Sequence, residues 1–179
     1  MKLFIKRSVN EYVLYSAITV VGIILDQLTK LLAALYLKGG DAVTVIPGVV
    51  QLRYVENRGA AFGMLADSRW VFMIISVAMI LGIGGALFLG HVDKLRIAVP
   101  MAMVLSGGIG NMIDRIFLGY VIDFIEPTFI DFAVFNGADS FVCVGGAVLF
   151  FVFLVEIFKE EKAKKAASAI EESTEDGER

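Results

Sequence analysis

Long apolar stretches alternate with short polar segments along this chain. Four of the stretches reach the roughly 20 residues that a helix needs to cross about 30 Å of hydrocarbon. They cover residues 12–37, 69–90, 95–118 and 137–158. The pattern therefore predicts four transmembrane helices, the first retained as an anchor rather than removed as a signal peptide. Four spans place both termini on the same side of the membrane.

Lysine and arginine residues indicate which side that is. They precede the first span, lie between the second and third, and follow the fourth, whereas residues 119–135 contain none. These basic residues are Lys2, Lys6, Arg7, Lys94, Arg96, Lys159, Lys162, Lys164 and Lys165. The connection 38–68 also carries Lys38, Arg53 and Arg58, which weakens the asymmetry without reversing it. Because positively charged connections stay in the cytoplasm, we expect cytoplasmic termini and outward-facing connections at 38–68 and 119–135.

The composition agrees with a membrane protein. Apolar residues make up 58% of the chain, above the roughly 45–50% that is usual in soluble domains, and the excess must face lipid. The C-terminal end differs, because from Lys165 onward it holds five acidic side chains and no apolar run. We therefore predict one membrane domain over residues 1–164 and a disordered acidic cytoplasmic tail over residues 165–179.

The first outer connection carries a strand signal. Apolar and polar residues alternate with period two over 41–46 and again over 50–55, and a Pro-Gly turn separates the two runs. This alternation is typical of short, half-buried strands. The predicted fold is thus a membrane all-α protein with four transmembrane helices and a small extracytoplasmic β-sheet, within residues 38–68, between the first and second helices.

Four aspartates stand in the otherwise apolar segment 106–140: Asp114, Asp123, Asp131 and Asp139. An ionised side chain at the bilayer centre costs at least about 3 kcal/mol, so such residues are not placed at random. Asp123 comes just after the third span and Asp139 at the start of the fourth, which puts both at the same depth on the outer face. We predict that these two form an aspartyl catalytic pair.

The chemistry of such a pair is simple. Two carboxylates about 4 Å apart repel by about 4 kcal/mol at an effective dielectric near 20, so they share one proton near neutral pH. One can then deprotonate a water while the other protonates the leaving amine. The single histidine, His91, argues against Ser-His-Asp and Cys-His sites. A divalent metal held by carboxylates alone, with Asp114 and Asp131 as further ligands, is an alternative; we predict no metal.

Structural roles compete with these chemical ones. Asn136 and Asp139 are spaced like the N-cap and third residue of a capping box, in which the carboxylate merely complements the helix dipole. Asp123 alone could be a solvated loop acid. Asp26, in the first span, is most simply interpreted as pairing with a polar group on a neighbouring helix.

Polar residues of the third span share one helix face. Asn111, Asp114 and Arg115 are spaced by three and four. Gly107, one turn earlier on that face, would let another helix approach closely. Asp114 and Arg115 either neutralise charge near the helix end or belong to a site, where Arg115 could hold a carbonyl or carboxylate.

Five short motifs resemble the sequence blocks of one family, in that family's order. They are DQLTK at 26–30, NRGAAF at 57–62, GGIGNMIDR at 107–115, VIDF at 121–124 and FNGADS at 135–140. Each block alone is weak, but five of them interleaved with four spans are specific. Over about residues 12–159 the chain resembles bacterial lipoprotein signal peptidase (signal peptidase II).

The resemblance implies an aspartyl endopeptidase of the bacterial cytoplasmic membrane, which cleaves prolipoprotein signal peptides just before a diacylglyceryl-modified cysteine. It implies catalytic roles for Asp123 and Asp139, substrate binding by Asn57, Asn111, Arg115 and Asn136, and supporting roles for Asp26, Lys30 and Asp114. We expect no cofactor, no metal and no nucleic-acid partner. The expected partners of this monomer are lipid-modified signal peptides and membrane lipids.

Two further expectations concern the pair and its alternatives. As a hypothesis, Asp139 is the carboxyl that ionises first, because a helix N-terminus favours its charge. The alternative function is a small proton- or ion-coupled membrane transporter, since intramembrane carboxylates are typical of that class as well. A transporter would favour acids near the midplane and repeat symmetry between its halves, whereas here the pair lies at the outer edge and no repeat is evident.

Overall fold

The computed structural model describes residues 8–59, 69–89, 92 and 94–177. Predictions that concern Lys2, Lys6, Arg7, His91 and residues 60–68 therefore fall outside the described residues. Within the described part of the chain, helices and strands follow in the order α1 Val9–Tyr36, β1 Val43–Ile46, β2 Val50–Asn57, α2 Arg69–Phe88, α3 Leu95–Phe117, β3 Val121–Pro127 and α4 Gly137–Gly177.

The four predicted spans correspond to the four helices. Among the described residues, three segments are long and apolar enough to cross a bilayer: α1, α3 and the Gly137–Lys165 part of α4. The continuously described part of α2, Met73–Phe88, is a shorter apolar helix. The chain is thus mostly helical, with three candidate membrane spans and a fourth apolar helix.

Helix α3 lies against each of the other three helices, and its glycines explain the close approach. A Cβ added at Gly107 would collide with the carbonyl oxygen of Ala138 in α4. One added at Gly110 would lie 2.5 Å from Asp26 Oδ2 in α1. Small residues on α3 therefore bring the first turn of α4 and the acidic side chain of α1 together at one place.

The sheet has three antiparallel strands in the order β1-β2-β3, which corrects the prediction of a sheet confined to residues 38–68. The third strand, β3, follows α3 and pairs with β2, so that Val55 lies opposite Asp123. Asp123 is thus a strand residue and not a solvated loop acid. Ile122 and Phe124, on the other face of the strand, pack against Ala33 near the C-terminal end of α1.

Helix α4 continues beyond its apolar part. The backbone is helical as far as Gly177, and the division into a membrane domain and a tail at Lys165 stays a prediction. Extending an existing helix needs no new nucleus, and the alanine, glutamate and lysine residues of this segment favour helix. Lys165 also pairs with Glu161 one turn earlier, with Nζ and Oε1 2.8 Å apart.

Candidate active site

Asp123 is held in the middle of β3 with only 2% of its surface exposed. Two asparagine side chains donate to its carboxylate. Asn57 Nδ2, at the C-terminal end of β2, lies 2.8 Å from Oδ2, and Asn136 Nδ2 lies 2.6 Å from Oδ1. The strand pairing between β2 and β3 brings Asn57 to this position, although 66 residues separate it from Asp123.

Asp139 stands in the first turn of α4 and is half-buried. Its Oδ2 accepts the Asn136 backbone N–H at 3.2 Å, while the Asn136 Oδ1 accepts the Asp139 backbone N–H at 3.0 Å. The predicted capping box is therefore confirmed. The other carboxylate oxygen, Oδ1, accepts Asn111 Nδ2 of α3 at 2.8 Å. The capping role and a place in a polar site are thus combined in one residue.

Asn136 connects the two carboxylates. It is completely buried. Its side-chain amide donates to Asp123 and its backbone N–H donates to Asp139. A short bridge between Phe135 and Ile125 of β3 fixes the chain just before it, with N–O distances of 2.8 and 3.0 Å. Asn136 therefore sits between the end of the sheet and the start of α4, with an aspartate on each side.

The electrostatic surroundings make Asp123 easier to protonate than an ordinary aspartate. Its pKa is raised from 3.8 to about 6, with burial as the largest cause. The charge of Asp139 contributes to the rise, whereas donation from Asn57 and Asn136 opposes it. The two carboxyl groups thus interact electrostatically, as a proton-sharing pair requires.

A second, fully enclosed group of charges lies directly behind this site. Lys30 Nζ is 2.8 Å from Asp26 Oδ2 and 3.0 Å from Asp114 Oδ2, and the three side chains are at most 3% exposed. The same Nζ donates to Asn111 Oδ1 at 2.8 Å. The three residues predicted as supporting positions therefore come together in one cluster, which we call the Lys30 cluster (Asp26, Lys30, Asp114).

Each carboxylate of the Lys30 cluster also accepts a backbone N–H next to the candidate pair. Asp114 Oδ2 accepts from Ile122, the residue before Asp123, at 3.1 Å. Asp26 Oδ1 accepts from Ala138, the residue before Asp139, at 2.8 Å. The expected pairing of Asp26 with a polar group of a neighbouring helix is thus present, and the partner is the backbone of α4.

Gln27 belongs to this region, although no role is predicted for it from the sequence. Its Nε2 donates to Asp114 Oδ1 at 3.0 Å and to the Gly110 carbonyl at 3.2 Å, and also lies 3.3 Å from Asp26 Oδ2. It therefore ties α1 to α3 beside the Lys30 cluster. A polar amide directly after an aspartate in an apolar helix was the available signal.

Arg115 lies close to the candidate pair, whereas Asp131 lies on the surface. Arg115 is half-buried, donates from Nη1 to the Asn111 carbonyl at 3.5 Å, and interacts electrostatically with Asp139, Asp123 and Asp114. Asp131 lies exposed in the segment between β3 and α4. Among the residues that the structure describes, no three acidic, histidine or cysteine side chains are grouped as metal ligands.

The chain matches a protein-family model over residues 18–155, and the description of that family is signal peptidase (SPase) II. Lipoprotein signal peptidase from Streptococcus pyogenes serotype M1 is 44% identical over 140 residues, which are 76% of this chain and 88% of that protein. The corresponding protein from Streptococcus thermophilus strain CNRZ 1066 is 40% identical over 140 residues, covering 76% and 87% of the two chains.

Two solved structures, each described as a bacterial membrane enzyme, have similar folds. One is 31% identical with a TM-score of 0.75 and covers 80% of this chain and 88% of that chain. The other is 32% identical with a TM-score of 0.71 and covers 78% and 92%. The family match extends over all five sequence blocks, including both candidate catalytic aspartates. The chain therefore belongs to the signal peptidase II family and is a peptidase rather than a transporter.

Proposed function

We propose that Asp123 and Asp139 are the catalytic pair of this peptidase, and that it removes signal peptides from diacylglyceryl-modified prolipoproteins just before the lipidated cysteine. The observation that carries the proposal is the position of Asn136, which donates from its side chain to one carboxylate and from its backbone to the other. The substrate class follows from the Streptococcus relatives, which are lipoprotein signal peptidases.

The catalytic step needs one ionised and one protonated carboxyl. The ionised member, which we assign to Asp139 at the helix N-terminus, takes a proton from water as the water oxygen attacks the scissile carbonyl. The protonated member, Asp123, gives its proton to the leaving nitrogen as the C–N bond breaks. Burial, which raises the pKa of Asp123 to about 6, supports the assignment of the proton to this residue.

The surrounding amides hold this pair in place. Asn57 and Asn136 donate to Asp123, and Asn111 donates to Asp139. Arg115, close enough to interact with both carboxylates, is the residue that we assign to contact with the substrate backbone. No step of the proposed mechanism requires a metal or another cofactor.

The proposed site lies at the outer face of the bacterial cytoplasmic membrane, with four spanning helices and both termini in the cytoplasm. The sheet, the start of α4 and the ends of α1 and α3 lie together, next to the connection without lysine or arginine. At the other end, Lys94 and Arg96 pair with Glu156 at 2.9 and 2.6 Å. A substrate whose acyl chains stay in the bilayer would then bring its scissile bond to the depth of Asp123 and Asp139, supplying orientation.

The orientation can be tested by cysteine labelling in a Cys143→Ser background. A membrane-impermeant maleimide added to intact spheroplasts should label Thr128→Cys, in the exposed segment after β3, and should leave Lys162→Cys unlabelled until the membrane is opened. The reverse labelling pattern would contradict the proposed orientation.

The catalytic assignment is tested with Asp123→Asn and Asp139→Asn, assayed for cleavage of a lipidated precursor. Each variant should lose roughly a thousandfold or more in kcat while remaining folded, because an amide can still occupy the site and cannot exchange the proton. Asp131→Asn, an exposed aspartate outside the site, is the matched control. Near-normal cleavage by either of the first two variants would remove that carboxylate from the mechanism.

A further inference from the structure

The Lys30 cluster and the catalytic pair are joined through one carboxamide. Lys30 Nζ donates to Asn111 Oδ1 at 2.8 Å, and Asn111 Nδ2 donates to Asp139 at 2.8 Å. Asn136 Nδ2, which binds Asp123, also lies 3.1 Å from Asn111 Oδ1. The Asn111 oxygen therefore accepts from a lysine and an asparagine, while its nitrogen faces a catalytic carboxylate.

This arrangement permits only one orientation of the Asn111 carboxamide. An amide has an acceptor on one side and donors on the other, and an ammonium group has donors only. If the amide were turned over, its NH₂ group would face the Lys30 ammonium and its oxygen would face the Asp139 carboxylate. Both contacts would be repulsive, and in this enclosed site neither could be relieved by solvent.

We infer that Lys30 is a positioning residue for catalysis: by fixing the Asn111 carboxamide, it sets the hydrogen bonds that orient Asp139 directly and Asp123 through Asn136. The inference rests on the proposed function, since it assigns Lys30 a task in the reaction of that pair. It explains why a lysine that is 2% exposed stands in an apolar helix with its ammonium group aimed at an amide oxygen as well as at two carboxylates.

Electrostatics acts in the same direction. The charged groups that interact with Lys30 from the packed elements are Asp26 of α1, Asp114 of α3, Asp123 of β3 and Asp139 of α4. Arg115 of α3 interacts with the last three of these. Its positive charge lowers the pKa of Asp123 and so opposes the effect of burial. Removing that charge should raise the pKa of Asp123.

A double-mutant cycle in the Asp26→Asn background tests the inference. Lys30→Met there removes one charge of each sign, so the net charge of the cluster stays as in the wild type. The amide oxygen that Asp26→Asn introduces can still accept the Ala138 N–H. We expect kcat to fall about tenfold or more relative to Asp26→Asn alone, because a small misplacement of a catalytic group is costly. KM should change by less than about threefold, since Arg115, which we assign to contact with the substrate backbone, is not substituted.

The second arm of the cycle shows whether Lys30 acts through Asn111. In the same background Asn111→Ala should also lower kcat, and adding Lys30→Met to it should cost less than about threefold more. Losses that multiply would overturn the inference, as would an unchanged kcat in the Lys30→Met variant. Thermal unfolding of every variant is measured alongside, because a purely structural lysine would lower the unfolding temperature without lowering kcat in the fraction of enzyme that is folded.

Lys30→Gln, made in the same Asp26→Asn background, keeps the inference testable if the Lys30→Met variant does not fold. Glutamine can still donate to Asn111 Oδ1, so kcat should be higher than for Lys30→Met wherever both fold. Because the positive charge is lost, both limbs of the bell-shaped pH profile of kcat should move to higher pH than in Asp26→Asn. A profile at the same position would contradict the inference.

The same assay separates this inference from the proposed function. Normal cleavage by Asp123→Asn would overturn the catalytic assignment itself. A loss of cleavage in Asp123→Asn, combined with no effect of Lys30→Met on kcat, would overturn only the role of Lys30.

Discussion

Two pairs of aspartates lie on either side of Asn111, and they differ in what holds them. Asp26 and Asp114 share the ammonium group of Lys30. Asp123 and Asp139 are held by amide N–H groups. A carboxylate that contacts a buried ammonium is held in place by an opposite charge, whereas Asp123 and Asp139 accept from neutral amides, which leaves them suited to exchange a proton. Identical side chains thus serve structure in one pair and proposed chemistry in the other.

The backbone links make the first pair a support for the second. Asp114 binds the N–H of the residue before Asp123, and Asp26 binds the N–H of the residue before Asp139. The two pairs are therefore not independent. Asp114 and Asp26 hold the strand and the helix that carry Asp123 and Asp139. Substitutions in the first pair should therefore act on stability, and substitutions in the second on catalysis and its pH dependence.

The largest expected effect on stability comes from breaking an ion pair of the Lys30 cluster. Asp26→Ala removes one partner of Lys30 and leaves the Ala138 N–H without its acceptor, which should destabilise the protein by roughly 3–5 kcal/mol. The measurement is thermal unfolding in detergent, with the exposed Asp41→Ala as control. If Asp26→Ala unfolds at the wild-type temperature, the Lys30 cluster does not stabilise the folded protein.

The contribution of Asp123 to stability, in contrast, should depend on pH. Burial raises the pKa of Asp123 from 3.8 to about 6 in the folded protein, so its ionisation opposes folding. The stability of the wild type relative to Asp123→Asn should be greatest below pH 3.8 and decrease as the pH rises through about 6. The full change corresponds to at most roughly 3 kcal/mol.

Unfolding temperatures of the two proteins at several pH values test this. A difference in unfolding temperature that is independent of pH, or that grows in favour of the wild type above pH 6, would contradict the raised pKa of Asp123.

A smaller effect is expected where the two pairs are brought together. A Cβ at Gly110 would lie 2.5 Å from Asp26 Oδ2, and Gly110→Ala should therefore destabilise the protein by about 2 kcal/mol. Gly146→Ala in α4 is the matched control, because a Cβ there meets nothing within 4 Å. Equal unfolding temperatures for the two alanine variants would mean that close packing at Gly110 is not required.

The smallest effect is expected at the exposed ion pair of the sheet. Arg53 Nη2 lies 2.6 Å from Glu126 Oε1, and half of the Arg53 side chain is exposed. Such pairs contribute less than about 1 kcal/mol, so Arg53→Ala should leave both unfolding and cleavage nearly unchanged. A loss comparable with that of Asp26→Ala would show that burial is not what distinguishes the Lys30 cluster.

The sequence predicts the helices well and the sheet only in part. Hydropathy locates α1, α2 and α3 to within three residues at each end, because a membrane requires long uninterrupted apolar runs. Alternation reveals β1 and β2. The strand β3 is missed since four successive residues, 121–124, are buried, which removes the period-two pattern. Its partner β2 is also distant in the sequence.

The candidate site is predicted better than the fold around it. The spacing of Asn136 and Asp139 gives the capping box directly, and the motifs give the residues that the structure brings together. The sequence does not reveal which of these residues touch each other. Lys30 touches Asn111, while Asp26 and Asp114 accept the backbone N–H groups of Ala138 and Ile122, respectively. These depend on helix approach at glycines and on β3, neither of which a local pattern specifies.

A carboxyl-selective ¹³C NMR titration of aspartates tests the central claim, that Asp123 and Asp139 act as one proton-sharing unit. In the wild type we expect Asp139 to ionise at lower pH than Asp123. Because the charge of Asp139 raises the pKa of Asp123, Asp139→Asn should lower the titration midpoint of Asp123, and the control Asp131→Asn should not move it. An Asp123 midpoint that is the same with and without the Asp139 carboxylate would contradict the account.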